Sequence, residues 1–552
     1  MNIAKEEFIV KTVSAVEKVF PYSSPKALET SGMCLKNSRY NFQLAITGKA
    51  RKGFCKIKIE SILEEFITVR EVKNVPVELP FTEYCDDDTF VHSKKAGLYP
   101  DLLVPLTTEI GYPILVGQWK SLFITVSPKK DKTLPVGIHP IVISVLDIND
   151  VSLGKIEYTL EVLDVSLPPL PVFNINWIHY DCISNYYNLP VFSEAFNKIF
   201  DKYVENLIQH GGNSILVPLF TPPLDTAVGN ERKTVQLVGV NVRNGKYEFN
   251  LEPLRLFIRR MRAIGITYFE FSHLFTQWGG TACPKIIANV DGEEKRIFGW
   301  DTPSDGKAYT DFLKALLPQI VALTKEEYVK DRCFWHITDE PNEKKDLALY
   351  SKLKTLVQEL IDGMDIIDAM SDYAFYEKKL VTIPVVCTDQ FKNFQGKCDK
   401  FAIYYCCGTA KNLSNRYLCM TGVRTRILGL QAYLHNVAGF LHWGYNFWNT
   451  QLSKSLLNPW LSTDALGAYP AGDCFIVYPG NDRPWDSIRN EIISDGWQDY
   501  RIALLAERYI GRERVEKILT SFGMKDLDIY PHSPKKYLRM REALLSIIRE
   551  HC

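Results

Sequence analysis

The sequence predicts a multidomain chain in which an N-terminal β-sandwich is followed by a (β/α)8 TIM barrel, with C-terminal helices packed on the barrel. Its 552 residues and 63.2 kDa are several times the size of an ordinary domain, so at least two compact units are expected. The first part of the chain reads as short alternating segments divided by Gly, Pro, Asn and Asp turns. The remainder alternates brief β-rich runs with amphipathic helical stretches, the rhythm of repeated βα units.

The sandwich segments are, in order, NFQLAITGKA, GFCKIKIESI, PVELPF, SLFITVSP, HPIVISVLDI and KIEYTLEVLDV, at the spacing of a two-sheet stack. Pro168, Pro169 and Pro171 then stiffen SLPPLPVFN, which places a boundary between a sandwich over residues 1–167 and a barrel unit over residues 168–552. Eight β-rich runs follow, at residues 171–181, 213–220, 266–275, 333–341, 365–373, 382–389, 401–407 and 437–449. Between them VFSEAFNKIFDKYVENLIQ, LEPLRLFIRRMRAIG, YTDFLKALLPQIVALTKEEYV and LALYSKLKTLVQELIDG carry apolar residues at three- and four-residue intervals. Eight units match the size of a (β/α)8 barrel, although the fifth to seventh are short and a count of seven or nine fits the same pattern. Beyond residue 486, SIRNEIISDGWQDYRIALLAERYIG and KKYLRMREALLSIIRE are helical in pattern and are expected on the outside of the barrel.

Composition excludes several function classes. With 65 Lys+Arg against 65 Asp+Glu and a sequence pI near 7.1, no global field draws the chain to nucleic acid or anionic lipid. No apolar run reaches the roughly 18–20 residues that span a bilayer, so membrane insertion is not expected. Lys5, Glu6, Glu7 and Lys11 stand where a secretory leader would be apolar, so a cytoplasmic location is expected unless a leader was trimmed. Thirteen cysteines without a CxxC spacing, including the adjacent Cys406 and Cys407, point to reduced, mostly buried thiols. No HxH or HExxH occurs and no GxGxxG, GxxxxGK or GxSxG, so neither a metal nor a nucleotide cofactor nor a serine-hydrolase elbow is expected. The 12% aromatic share hints at a stacking or carbohydrate surface.

In a barrel of this kind catalytic groups gather at the carboxyl ends of the strands. The fourth run is the informative one: CFWHITDEP is apolar and then delivers Asp339 and Glu340 before Pro341 stops the strand. Adjacent residues of a regular strand face opposite sides, but at a strand-to-loop junction the alternation fails and both carboxylates can reach the mouth. The competing local reading is a surface pair that caps the helix after Pro341. Two carboxylates suggest glycoside hydrolysis, which in its usual retaining form needs a second carboxylate on another strand. The ends of the seventh run (Tyr404, Tyr405, Cys406) and the eighth (Trp443, Gly444, Tyr445) offer none, which leaves Asp389, Asp372 and Glu270. That scarcity favours substrate assistance, with the sugar's own 2-acetamido oxygen as nucleophile. Asp339 would then hold the acetamido N–H and stabilise an oxazolinium-like intermediate, and Glu340 would act first as acid and then as base.

Four motifs carry a resemblance: FWHITDEP, YPDLLVPL (Tyr99, Pro100, Asp101), HWGYNFWN, and FIVYPG followed by SIRNEIISDGWQDY. In the same order and over nearly the whole chain they resemble glycoside hydrolase family 123. The resemblance implies a β-sandwich followed by a (β/α)8 barrel, and β-N-acetylgalactosaminidase activity by substrate assistance through an adjacent Asp-Glu pair, both members of which are present. The expected activity is that of a retaining exo-glycosidase removing terminal β-linked N-acetylgalactosamine (β-GalNAc) from oligosaccharides or glycolipid glycans, with that carbohydrate as the partner. Among the other strand ends, Tyr373 is the candidate phenol that orients the acetamido carbonyl. Trp443, Tyr445 and Trp448 are candidate walls of a pyranose subsite. His179 and His273 are candidates for hydrogen bonds to sugar hydroxyls, and Trp278 for lining an aglycone site. For each ring the competing role is core packing. Two other functions stay open: a two-carboxylate glycosidase pairing Glu340 with Asp389, and a non-catalytic carbohydrate-binding protein, whose mark would be the loss of Asp339 or Glu340.

Overall fold

The computed structural model describes residues 8–49, 53–81, 90–106, 111–341 and 345–552; the N-terminal charges Lys5, Glu6 and Glu7 lie outside the described residues. The N-terminal part is two five-stranded sheets. One has the order Phe8–Ser14, Tyr40–Gly48, Lys120–Val126, Ile67–Val77, Gly97–Pro105, and the other Ser31–Leu35, Ser152–Leu163, Gly137–Asp147, Gly53–Glu60, Tyr112–Ile114. Alternate apolar residues meet between them, Phe42, Leu44, Ile46, Leu122 and Ile124 from the first against Ile141, Ile143, Val145, Tyr158 and Leu160 from the second.

The far side of the first sheet is also covered. Val72, Val75, Leu102 and Phe123 join the apolar cluster that also holds the barrel's outer helices, and Tyr40–Gly48 is buried at every position. The polar residues on that side find partners: the Asn41 amide donates to Asp495 at 3.0 Å and the Gln43 amide to the Glu17 carbonyl at 2.7 Å.

Each of the eight β-rich runs contains one strand of a single parallel sheet: Phe173–Asn176, Ser214–Val217, Tyr268–Phe271, Cys333–Trp335, Asp365–Met370, Ile383–Cys387, Ala402–Tyr404 and Gly439–His442. The first strand pairs with the eighth, so the sheet curls into a nearly closed barrel. The seam without a ladder lies between the first and second strands. There the Asn213 side chain substitutes for one, accepting from the Asn174 N–H at 2.8 Å and donating to the Val172 carbonyl at 2.9 Å. Helices Glu194–Gln209, Glu252–Ile264, Lys307–Glu326 and Asp346–Gln358 follow the first four strands, but the fifth and sixth crossovers carry only the single turns Ala374–Glu377 and Phe391–Phe394.

Two features depart from the sequence expectation. The loops after the second and third strands build a four-stranded sheet from Gly239–Arg243, Lys246–Asn250, Ile286–Val290 and Glu293–Phe298. Its hairpins turn on Asn244-Gly245 and Asp291-Gly292, all four at positive φ, which is the two-residue turn whose twist suits a hairpin. The second is the setting of the helix Ile488–Ile510, which lies outside the barrel strands but is not a surface helix. Most of its residues are buried, because it is wedged between barrel and sandwich.

That helix joins distant parts of the sequence through buried charge. Arg489 binds Asp101 of YPDLLVPL with two bonds of 2.9 Å, and the Tyr478 hydroxyl donates to the same carboxylate at 2.8 Å. Glu491 accepts from Arg39 and Arg70 of the sandwich, each at 2.6 Å. Asp499 accepts from Arg426 at 2.7 Å and from Arg541 of the C-terminal helix Pro534–Glu550 at 2.8 Å. Gly496 lies against the Arg426 carbonyl with no room for a Cβ. Removing one partner of a buried pair strands the other charge. Arg489→Ala is therefore expected to lose about 3–5 kcal/mol, read as a lower urea midpoint, with the double change Asp101→Leu/Arg489→Met losing less. An unchanged midpoint for Arg489→Ala would show that this pair does not hold the two parts together.

Candidate active site

Beyond Trp335 the chain keeps its backbone bonds to the segment that follows the third strand. Leu274 N–H donates to His336 O at 3.2 Å, Phe275 N–H to Ile337 O at 3.1 Å and Trp278 N–H to Asp339 O at 2.9 Å. Asp339 is thus held by the neighbouring loop. At Glu340 the backbone turns left-handed, φ 47°, a region that side chains with a Cβ rarely adopt. This turn breaks the strand alternation at the acid pair.

Both carboxyls are part-buried and both are pushed above the usual carboxylate range. For Asp339 the chief cause is burial, followed by the charge of Glu340; His336 opposes the shift, while Asp368 and Asp225 add to it. For Glu340 burial again leads; the Tyr404 hydroxyl, which donates to Oε1 at 2.9 Å, opposes it and Asp389 adds to it. Two carboxyls held together in this way retain a proton where isolated ones have lost theirs, the condition a general acid requires.

Beneath the pair lies a closed polar cluster. His336 is fully buried, with Nε2 2.9 Å from Glu270 Oε2 and Nδ1 3.1 Å from Asp368 Oδ1. Trp177 Nε1–H donates to Glu270 at 3.0 Å, and Tyr350 O–H to Asp368 at 2.6 Å. Burial works against a charge on His336, but the bonds to Asp368 and Glu270 outweigh it and push the imidazole up to about 9.

On the side of the second and eighth strands, Trp443 presents a ring fixed by its Nε1–H bond to Asp473 at 3.0 Å and by Phe447 and Tyr469, 5.0 and 5.4 Å away. Tyr469 O–H donates to Asp225 at 2.9 Å, and the Leu452 N–H caps the other oxygen at 3.0 Å. Burial, against the opposing charges of Arg416 and Arg489, lifts Asp473 to about 7.

The remaining candidates are placed as follows. His179 sits behind Trp443, with Nε2 2.9 Å from the Trp443 carbonyl and Nδ1 3.1 Å from Arg232, so both ring nitrogens are engaged. His273 is buried and stacks on His336 at 4.2 Å; neither of its nitrogens has a hydrogen-bond partner among the described residues. Tyr445 and Trp448, expected on a sugar subsite, are instead packing groups. The Tyr445 hydroxyl reaches Asn206 on an outer helix at 2.7 Å, and Trp448 packs against Tyr186 and Tyr203. Trp278 is 50% exposed beside Asp339. Tyr373 lies at the start of Ala374–Glu377, its ring 5.5 Å from Phe394 with the Lys397 ammonium over it, and the phenol that bonds the acid pair is Tyr404. Asp372 accepts the Ala374 N–H, and Asp389 is exposed.

Sequence reasoning missed Tyr404, Asp225, Tyr469, Asp473 and the pairing of His336 with Glu270 and Asp368. His336 stood in plain sight within FWHITDEP, but its partners come from two other strands at no readable spacing. Among the described residues two groups bring possible metal donors together, His273/His336/Asp368 and His210/Asp486/Glu491. In the first, His336 and Asp368 already satisfy each other; in the second, the guanidinium groups of Arg39 and Arg70 already supply positive charge to Glu491.

Residues 177–505 match the family model described as "Glycoside hydrolase 123, catalytic domain". Among solved structures the chain resembles a family 123 glycoside hydrolase from Clostridium perfringens, studied for glycolipid glycan hydrolysis. That likeness covers 99% of both chains at 14% identity with a TM-score of 0.73, which supports the fold. Weaker likenesses, with TM-scores of 0.33 and 0.34, are to β-glucuronidases from Parabacteroides merdae (9% identity; 89% of this chain, 52% of that one) and Dictyoglomus thermophilum (10% identity; 89% and 97%), and they carry no argument. No curated protein matches the chain in sequence. Because the catalytic-domain match spans more than half of the chain and contains the acid pair, the chain belongs to glycoside hydrolase family 123.

Proposed function

We propose that the chain is a retaining exo-β-N-acetylgalactosaminidase that works by substrate assistance, on a (β/α)8-type barrel over residues 168–552 behind a sandwich domain over residues 1–167. The observation that carries this reading is the adjacent, part-buried Asp339 and Glu340 after the fourth strand, both raised together. Nearby carboxylates on other strands and loops bond other side chains: Glu270 and Asp368 bond His336, Asp473 bonds Trp443 and Asp225 bonds Tyr469. This favours a nucleophile supplied by the sugar.

In the first step the acetamido oxygen bonds to C1 as the C1–O bond to the leaving group breaks, and Glu340 gives its proton to the departing oxygen. Asp339 accepts the amide N–H and stabilises the positive oxazolinium ring. In the second step Glu340 takes a proton from water as that water attacks C1 and the ring opens, so the configuration is retained. Tyr404 holds Glu340 from one side, and Trp443 offers an apolar face for the pyranose. The Clostridium perfringens relative, associated with glycolipid glycan hydrolysis, supports glycans of that kind as substrates.

An aryl glycoside panel varying only at C2 and C4 tests the reading. The 4-nitrophenyl β-GalNAc is expected to be cleaved with retention and the plain β-galactoside left intact. Equal or faster cleavage of the galactoside would favour Glu340 with Asp389, whose charge bears on Glu340. Bound sugar without turnover would favour a binding protein. Asp339→Asn is expected to lower kcat by about 10²–10³ with an unchanged melting profile, and a rate near wild type would remove Asp339 from the chemistry. Glu340→Ala is expected to lower rates on poor leaving groups by about 10²–10⁴ and much less on activated aryl groups; equal losses on both would argue against the acid role.

A further inference from the structure

We propose that His336 is a positioning residue of this site: a buried imidazolium clamped between Glu270 and Asp368 whose fixed charge lets Asp339 ionise. The inference rests on the reading of Asp339 as the ionised partner of the substrate amide.

Hydrogen-bond valence makes the first part of the case. Both ring nitrogens of His336 face carboxylate oxygens, and a neutral imidazole can donate from only one of them. The second bond therefore needs a proton, either on the ring or on a carboxyl. The surroundings place it on the ring. Asp368 also accepts the Ile337 N–H, 3.1 Å from each oxygen, and the Tyr350 hydroxyl, while Glu270 Oε2 also accepts the Trp177 indole N–H. A carboxyl receiving several donors acts as an acceptor, and at Asp368 the upward push of burial is opposed by the bonds and charge of His336, the Tyr350 hydroxyl and the Ile337 N–H.

The neighbouring rings do not compete for that proton. His273 lies face to face with His336 at 22°, and burial together with the His336 charge holds it far below the usual histidine range. Trp177 meets His336 edge-on. All three members of the clamp are inaccessible to water, so the imidazolium and the N–H and O–H donors offset the two carboxylates in place of water, while Glu270 Oε1 has no hydrogen-bond partner among the described residues.

The clamp is tied to the chemistry in two ways. The Ile337 N–H bond to Asp368 fixes the backbone two residues before Asp339. Of the charged groups bearing on Asp339, the carboxyls Glu340, Asp368 and Asp225 favour its neutral form and His336 favours its ionised form. Removing the positive charge therefore raises the pH at which Asp339 loses its proton.

The test compares the pH dependence of kcat/KM for 4-nitrophenyl β-GalNAc between wild type and His336→Gln, which keeps a side-chain donor but no charge. The acid limb is expected to move up by about one pH unit with KM little changed on the plateau. A uniform loss of rate with an unmoved limb would assign His336 a merely structural role and overturn the proposal. The wild-type protein provides a reading that does not depend on the variant folding. With ¹⁵N-labelled histidine, one ring is expected to show two protonated, hydrogen-bonded nitrogens at pH 7 and to titrate near 9. Absence of such a ring at pH 7 would equally overturn the clamp. A charged ring combined with full activity of Asp339→Asn would instead refute the mechanism and leave the clamp standing.

Discussion

Holding two carboxyls, adjacent in sequence, partly out of water is the constraint around which the carboxyl end of the barrel strands is arranged. Each buried carboxylate forfeits hydration worth several kcal/mol unless the protein replaces it. Here the replacement comes from several strands. Trp278 of the third-strand loop fixes the Asp339 backbone, Tyr404 of the seventh strand bonds Glu340, and the His336 cluster draws on the third, fourth and fifth strands. The left-handed backbone at Glu340 belongs to the same arrangement, since it separates the acids from the alternation of the strand.

A similar use of buried charge joins the sandwich to the barrel. Helix Ile488–Ile510 places Arg489 and Glu491 opposite Asp101, Arg39 and Arg70. Apolar contacts surround these pairs and supply the area, but they tolerate sliding. A bidentate Arg489–Asp101 pair does not, because its planar groups match in one orientation. The two sequence motifs that meet there, YPDLLVPL and SIRNEIISDGWQDY, are thereby explained as two sides of one contact.

Much of the architecture was legible because it rests on local pattern. Parallel strands covered on both faces are short apolar runs, and all eight barrel strands fall inside the runs marked by that signal. The inserted sheet was missed although Asn244-Gly245 and Asp291-Gly292 announce its hairpins; it interrupts the βα rhythm that organised the rest of the reading. The placing of Asp339 and Glu340 beyond the fourth strand was legible because CFWHITDEP runs apolar before them, and that of Trp443 because it follows the apolar eighth run. Tyr445 and Trp448 have the same spacing but belong to a loop that turns outward, where Asn206 and Tyr203 receive them. Tyr404 was set aside in a search for carboxylates, although a phenol on a neighbouring strand can equally tune an acid. Asp225 and Tyr469 meet across 244 positions, and no periodicity links them.

The central claim is that the substrate amide, guided by Asp339, is the nucleophile. The most direct measurement is kcat for aryl β-glycosides whose N-acetyl group carries zero, one, two or three fluorine atoms. Each fluorine weakens the carbonyl oxygen as a nucleophile without altering the leaving group. A steep fall in rate through the series is the result this account predicts; rates that stay level across it would contradict attack by the amide.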